Sequence, residues 1–197
     1  GVFRRKRPIL QMSSFNIFAI FCKDTEKGWI MLIQNSRGSV WRKWDLHLHS
    51  TASDGKNTPQ ELVEEAVKQN ISVIALTDHH TVNNLDEIKR IGREKGIGVI
   101  AGIEFRTEYG QKSVHMIGLF PDTYEGTELN QKTLYDRIMC KLDLSESDII
   151  DAARKSGKHF TTDEAAFREG LLLVQVDFKR TADLIHKYGG VVTVHAG

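Results

Sequence analysis

A chain of 197 residues with 40% apolar and 27% charged side chains has the composition of a soluble globular protein and the length for one ordinary core. A formal net charge of +1 excludes a global electrostatic field aimed at nucleic acid or membrane, so any phosphate recognition must be local. Cys22 and Cys140 stand far apart, which excludes a disulfide framework and reads as reduced thiols in a cytoplasmic protein.

The first stretch carries a basic run, Arg4-Arg5-Lys6-Arg7, and an apolar run, Phe15 to Phe21, that Asn16 interrupts. The apolar run falls well short of the roughly 20 residues that a membrane span needs. Lys23-Asp24 follow it in place of a cleavage site, so neither export nor a membrane partner is expected. Residues 1–40 read as an N-terminal extension with a solvated basic tail, and Met31 is a candidate natural start. The chain opens on Gly1 and stops at Val194-His195-Ala196-Gly197, where a motif begins, so it is expected to be the front part of a longer protein.

From Trp44 onward, short apolar runs alternate with amphipathic stretches. Trp44-Asp45-Leu46-His47-Leu48-His49 alternates as a strand with one face turned to a site. Thr58-Pro59-Gln60-Glu61 opens a helix with a capping box and Pro at its first position, and Leu62, Val63, Ala66 and Val67 form the stripe to be buried. Ile71 to Leu76 is a β-branched run for a buried strand, and a helix through Leu85, Ile88 and Ile91 ends near Gly92 or Gly96. Strands follow at Val99–Ile103 and Val114–Leu119. Helices are expected around 128–140, at 146–156 between Ser145 and Gly157, and at 180–188, before a last strand at Val191–Val194. Such alternation predicts βαβ units and a mainly parallel sheet. The segment 121–179 is hardest to read and is expected to hold an insertion that shapes or covers a site.

Five of the eight histidines, His47, His49, His79, His80 and His195, fall at or just beyond strand ends, where parallel α/β folds build their sites. His115 lies near the start of another strand. His47 and His49, two apart on a strand, point to one face and can reach one ion. Asp54 sits in the turn Ser53-Asp54-Gly55, which can carry its carboxylate back over the strand end, and Glu104 closes the third strand as a bridging carboxylate. Mixed histidine and carboxylate ligands suit Zn²⁺, Mn²⁺ or Fe²⁺. Such ions would clamp and polarise a phosphate and activate water.

Asp45-Leu46-His47-Leu48-His49-Ser50 with Ser53-Asp54-Gly55, then Thr77-Asp78-His79, Gly102-Ile103-Glu104 and Val114-His115, resemble in order the motifs of the PHP (polymerase and histidinol phosphatase) superfamily. Val194-His195-Ala196 resembles a later one, with Ala where the family has Pro. The resemblance implies a distorted (β/α)7 barrel, truncated at its C-terminus, with two or three divalent ions at its mouth. It implies that His47, His49 and Glu104 hold one ion, Asp54 and His79 a second, and Glu104, His115 and His195 a third. Asp78 is the expected catalytic-site residue, orienting a histidine ligand. The family closes its site with an Asp-x-His that these residues do not include, so the piece itself is expected to lack ligands for two ions. Arg37-Gly38-Ser39-Val40-Trp41-Arg42-Lys43-Trp44 resembles the lead into PHP domains fused to SMC- or AAA-like ATPases, which implies an ATPase domain after residue 197.

The resulting expectation is a PHP domain over 41–197 that hydrolyses a phosphomonoester or phosphodiester by metal-activated water. A nuclease acting on nucleic acid beside an ATPase, and a non-catalytic metal-stabilised module, are the alternatives. His80 reads as a residue lining the mouth, and Trp41 and Trp44 as packing residues at the bottom of the barrel.

Overall fold

Local sequence signals and strand pairing together set the architecture. A computed structural model of the protein describes residues 42–195, apart from the side chain of His195. The expectations for residues 1–40, Cys22, Trp41 and the His195 side chain lie outside the described residues. Strand β1 (Lys43–Leu48) leads through α1 (Pro59–Lys68) to β2 (Ile71–Leu76), and α2 (Leu85–Lys95) leads on to β3 (Gly98–Tyr109). Thr58 caps α1 by accepting from the Glu61 amide, while the Glu61 carboxylate accepts from the Thr58 amide. Two βαβ steps of this kind place β1, β2 and β3 side by side and parallel.

The main sheet is mainly parallel, as expected, with one exception at the next strand. β4 (Lys112–Phe120) pairs antiparallel with β3 along its whole length, from Ala101 opposite Phe120 to Tyr109 opposite Lys112. A two-residue loop makes the reversal, with Gly110 at φ 63 as the first loop residue, a backbone state that suits glycine in a tight hairpin. After the small hairpin β5 (Thr123–Tyr124) and β6 (Thr127–Glu128), the chain turns helical. Residues 131–142 run as α3 (Gln131–Leu134), one wide π turn and one tight 3₁₀ turn. Next come α4 (Glu146–Lys155), α5 (Asp163–Leu173), β7 (Val176–Asp177), α6 (Phe178–Lys187) and β8 (Val191–His195). β7 lies parallel to the far end of β3, and β8 pairs antiparallel with β4. The six-stranded sheet therefore runs β1-β2-β3-β4-β8, with β4 reversed and β7 attached to β3.

Two apolar clusters hold the sheet. Ile74 and Leu76 pack with Val63, Ala66, Ile88 and Ile91 of α1 and α2. Ile103, Phe105 and Met116 pack with Leu134, Ile138, Ile149, Leu171 and Ile185 from the later helices. Each such side chain contributes roughly 1.5–3 kcal/mol through its removal from water. Val67, expected in the α1 stripe, is 46% exposed, because only the Val63–Ala66 line of that helix meets the sheet. Trp44 is likewise exposed rather than packed in a core, since the first half of edge strand β1 lies outside the buried zone. Within 121–179, α4 and α5 form a helical pair of which only α4 was legible in the sequence. Among the described residues, no helix is long and apolar enough to cross a membrane.

Candidate metal centre

Strands β1 and β2 end at the site. β3 does not close at Glu104 as expected but passes it and runs on to Tyr109, because its pairing with β4 continues beyond that point. β4, running backwards, brings its first half to the same place. That reversal explains how His115, a residue near a strand start, reaches histidines that lie at strand ends. Beyond β2 the chain continues alongside β3: the Glu104 amide donates to the Asp78 carbonyl (3.2 Å) and the His80 amide to the Glu104 carbonyl (3.0 Å). His79 thereby sits directly opposite Glu104.

The loop after β1 folds back over the strand end. Thr51 donates to the Asn57 carbonyl at 3.0 Å and Ser53 to the Ser50 carbonyl at 3.2 Å. Gly55 permits this close return, because a Cβ there would lie 2.2 Å from the His49 carbonyl oxygen. The buried Asp78 carboxylate fastens the loop, accepting from the Ser50 amide (2.7 Å), the Ser50 hydroxyl (2.7 Å) and the Ser53 hydroxyl (2.6 Å). Burial pushes the Asp78 pKa up, against these hydrogen bonds, which favour the ionised form. Asp78 makes no direct hydrogen bond to a histidine ring among the described residues, but Ser53 Oγ, which donates to it, also lies 3.4 Å from His49 Nδ1. The partners of Asp78 are two serines, and it acts on the loop that carries Asp54.

Glu104 is the hub of the site and is 2% exposed. Its Oε2 lies 2.9 Å from His47 Nε2 and 2.8 Å from His49 Nε2, and its Oε1 lies 2.7 Å from His115 Nδ1. His79 Nε2 stands 3.8 Å from Glu104 Oε2 and 3.6 Å from Asp54 Oδ2, while Asp54 Oδ1 lies 2.8 Å from His49 Nδ1. His47 Nε2 and His49 Nε2 face each other at 3.0 Å. The residues form three overlapping groups: His47, His49 and Glu104; His49, Asp54 and His79; His79, Glu104 and His115.

Electrostatics follow from this crowding. Burial works to raise the Glu104 carboxyl, but hydrogen bonds from His49 and His47, with His79 and His115 nearby, outweigh it and hold the group well below the usual carboxylate range. Burial depresses His79 to about 4, against the pull of Glu104. For His49, the hydrogen bond to Glu104 and the Asp54 charge overcome burial and raise the pKa.

The donor set fits divalent cations. Ligands about 2.1 Å from one ion and at right angles around it stand about 3 Å apart, close to the 2.8–3.0 Å separations among His47, His49 and Glu104. A neutral imidazole has one lone pair, so His49 can ligate through Nε2 only while Nδ1–H donates to Asp54. His79 Nδ1 is buried and has no hydrogen-bond partner among the described residues. The backbone of His195 lies opposite His115 in the β4–β8 register.

His80 does not line the mouth. It is fully buried at φ 46, its Nε2 accepts from the Arg106 amide at 3.1 Å, and burial lowers its pKa to about 3. A neutral ring is what this accepting role requires. Ser50 and Ser53, quoted in the motif without a role, anchor the site to Asp78. Arg168 of α5, to which the sequence gave no signal, donates from its guanidinium to the Ser53 carbonyl at 3.4 Å.

Comparison with known proteins places this geometry. The family model described as PHP domain matches residues 45–188. A 5'-3' exoribonuclease of Haemophilus influenzae is 45% identical over 78 residues, 40% of this chain and 28% of that protein. A 3',5'-nucleoside bisphosphate phosphatase of Chromobacterium violaceum is 37% identical over 81 residues, 41% of this chain and 28% of that protein. The aligned stretches thus span under a third of these relatives' own length. Among solved structures, a Bifidobacterium adolescentis protein ascribed to the metal-dependent phosphoesterases superposes with a TM-score of 0.52 at 23% identity, over 79% of this chain and 68% of that one. An amidohydrolase from Chromobacterium violaceum gives 0.53 at 19% identity, over 79% and 69%. Both structural likenesses speak for a shared mixed α/β fold.

Proposed function

The chain belongs to the PHP domain family, and from that premise we propose that it is the metal-binding part of a phosphoesterase that hydrolyses a phosphomonoester or phosphodiester. The carrying observation is the cluster in which Glu104 meets His47, His49 and His115 within 2.7–2.9 Å, with Asp54 and His79 beside it. In this reading His47, His49 and Glu104 hold one divalent ion, and Asp54 and His79 contribute to a second. Glu104 and His115, with His195, hold a third. Zn²⁺, Mn²⁺ and Fe²⁺ match the donor set. Bound there, such ions would polarise a phosphoester and make water a nucleophile near neutral pH.

The chain's own residues prepare the site. Glu104 stays ionised through its histidine contacts, and the His49 Nδ1–H donates to Asp54, which fixes the tautomer and leaves Nε2 as a donor atom. Asp78 holds the 50–55 loop so that Asp54 keeps its place. A (β/α)7 barrel over 41–197, a preceding extension and a cytoplasmic setting belong to the same proposal.

The test strips the protein with chelator, reloads it with Zn²⁺, Mn²⁺ or Fe²⁺, and follows 4-nitrophenyl phosphate and bis(4-nitrophenyl) phosphate. Turnover that returns with metal and vanishes in a His47→Ala, His49→Ala variant is expected. Metal-independent turnover, or equal rates in the variant, would sink the reading and favour a non-catalytic metal-stabilised module. The exoribonuclease relatives favour a second reading, a nuclease acting on nucleic acid. Release of mononucleotides from a single-stranded RNA oligomer, faster than from the small esters, would select it. The ATPase linkage rests on Arg37–Trp44 alone. Reading the gene onward from residue 197 tests it, with a Gly-x-x-x-x-Gly-Lys-Ser/Thr loop as the expected sign.

A further inference from the structure

Just past β2, three consecutive residues go three ways. Asp78 fastens the loop that carries Asp54, His79 enters the metal cluster, and His80 turns inward and is fully buried. The edge of β3 that they meet is covered in pieces. Val73 to Leu76 pair with Gly98 to Ala101, the segment 78–80 bonds Glu104, and β7 begins opposite Thr107. Alternate residues of a strand turn their amides to the same edge, so the Arg106 amide points the way the Glu104 amide does. It falls in the interval between the 78–80 segment and β7. The ring of His80 fills that interval, its Nε2 accepting from the Arg106 amide at 3.1 Å.

His80 therefore grips β3 twice next to the hub carboxylate. Its amide donates to the Glu104 carbonyl at 3.0 Å, and its ring accepts from the amide two residues on. The two bonds bracket Phe105, whose buried ring stands edge to face with the His80 ring at 6.0 Å. The backbone at His80 has φ 46, a left-handed state unfavourable to a residue with a Cβ. Glycine adopts that state without strain but carries no acceptor, so the conformation points to the ring as what the position supplies. The neighbouring ligand gives a second reason. A metal-ligating imidazole is ordinarily oriented by an acceptor at its other nitrogen, yet His79 Nδ1 has no partner among the described residues. His79 is oriented through its backbone instead, which Asp78 and His80 hold from either side.

We infer that His80 is a positioning residue of the metal centre: its ring stands in for a strand partner at Arg106 and so holds Glu104 and His79 in register with each other. The inference rests on the metal-binding reading above and adds to it a residue that touches neither ion nor substrate. Glu104 meets three histidine rings within 2.7–2.9 Å, so a small slip of its backbone loses some of them. His80 thus governs how closely the ligands converge, while their charge and number stay the same.

The experiment compares the full chain with His80→Gly and His80→Asn, which suit the left-handed backbone but remove the acceptor or set it too short, and with His80→Gln, whose Oε1 reaches the place of Nε2. Co²⁺ alone is the probe, added to chelated protein, and its affinity and visible absorption spectrum are read. Hydrogen exchange at the Arg106 amide and turnover of bis(4-nitrophenyl) phosphate are followed beside it. In His80→Gly and His80→Asn the amide is expected to exchange about 10-fold faster, after correction for global stability. Co²⁺ should bind about 10- to 100-fold more weakly with a changed spectrum, and kcat should fall more than KM rises. His80→Gln should restore the spectrum and most of the affinity. Parental Co²⁺ affinity and spectrum in a folded His80→Gly or His80→Asn overturn the inference, and so does an Arg106 amide that stays protected. Linkage gives a test in the parent alone, which decides the matter if neither variant folds: saturating Zn²⁺ must slow exchange at Arg106 beyond the general stabilisation, and no added protection overturns the inference. If the parent hydrolyses nothing while Co²⁺ binding still depends on His80, the phosphoesterase reading fails and the positioning role stands. Metal-dependent turnover at a site indifferent to His80 does the reverse.

Discussion

The strand-end region from β1 to β4 and the helical region from α3 to α6 handle their polar side chains in opposite ways. At the strand ends Ser50, Asp78, His79, His80 and Glu104 are all buried, with Asp78 bonded to Ser50, His80 to the Arg106 amide and Glu104 within 2.9 Å of three histidines. Along the helices, Lys132, Arg154 and Lys179 sit in solvent and pair with Asp136, Asp163 and Asp183. Burial of a polar group is unfavourable unless its partners are in place, whereas a solvated ion pair is worth little either way. The strand-end region thus spends folding free energy on an arrangement of ligands, and the helical region provides packing and a framework. Substitutions of similar chemistry should have very different consequences in the two.

Removal of the hub should produce the largest effect. Glu104→Gln keeps the shape but takes the charge from a group within 2.9 Å of three histidine rings. Metal-dependent hydrolysis is expected to drop by about 1,000-fold, with loss of bound metal by elemental analysis. Full metal content at an unchanged rate would break the contrast between the regions.

Next comes Asp78→Ala, which strands the donors of Ser50 and Ser53 without touching a histidine. Denaturant unfolding should show a loss of about 3 kcal/mol, and metal affinity should fall about 10- to 100-fold as Asp54 loosens. An unchanged metal affinity would mean that the loop holds without its anchor.

The buried His80 sharpens the comparison through pH. Its folded pKa of about 3 lies below the 6.5 of the unfolded chain. Below pH 6.5 the unfolded state takes up the proton first, so stability is lost as pH falls from 6.5 toward 3. At pH 5 the shift amounts to about 2 kcal/mol relative to pH 7, and His80→Asn should lack that component. Unfolding of the chelated protein at the two pH values, parent against variant, measures it; parallel pH dependence would show that His80 is not held neutral.

The smallest effect belongs to the helices. Arg154→Ala removes an exposed pair with Asp163 and should change stability by no more than about 1 kcal/mol, less at high salt. A larger loss would place this surface pair on a par with the strand-end network.

Much of the strand-end region was legible because its signals are local. The His47–His49 spacing, the Asp54-Gly55 turn and the Thr58 capping box each act over a few residues, and each appears at its expected place. Legibility failed where a longer-range partner decided the outcome. Nothing near Asp78 announces that its carboxylate will meet Ser50 and Ser53 from the loop before it. His80 reads as a neighbour of His79, yet it turns inward because the Arg106 amide, on another strand, needs an acceptor. The reversal of β4 had a local cue in Tyr109-Gly110-Gln111-Lys112 that the strand alternation masked. α5 was missed because its weak amphipathic pattern becomes a helix face only against α4 and the sheet.

The sequence by itself determined which residue types stand at the strand ends and in what order, because strand periodicity, caps and turns are written in neighbouring residues. Only the tertiary structure decided which of them come within ligand distance of one another, that Glu104 is their hub, that Asp78 fastens the loop beside it and that His80 turns inward. Those relations depend on the register between strands, which is set by packing between residues far apart in the chain.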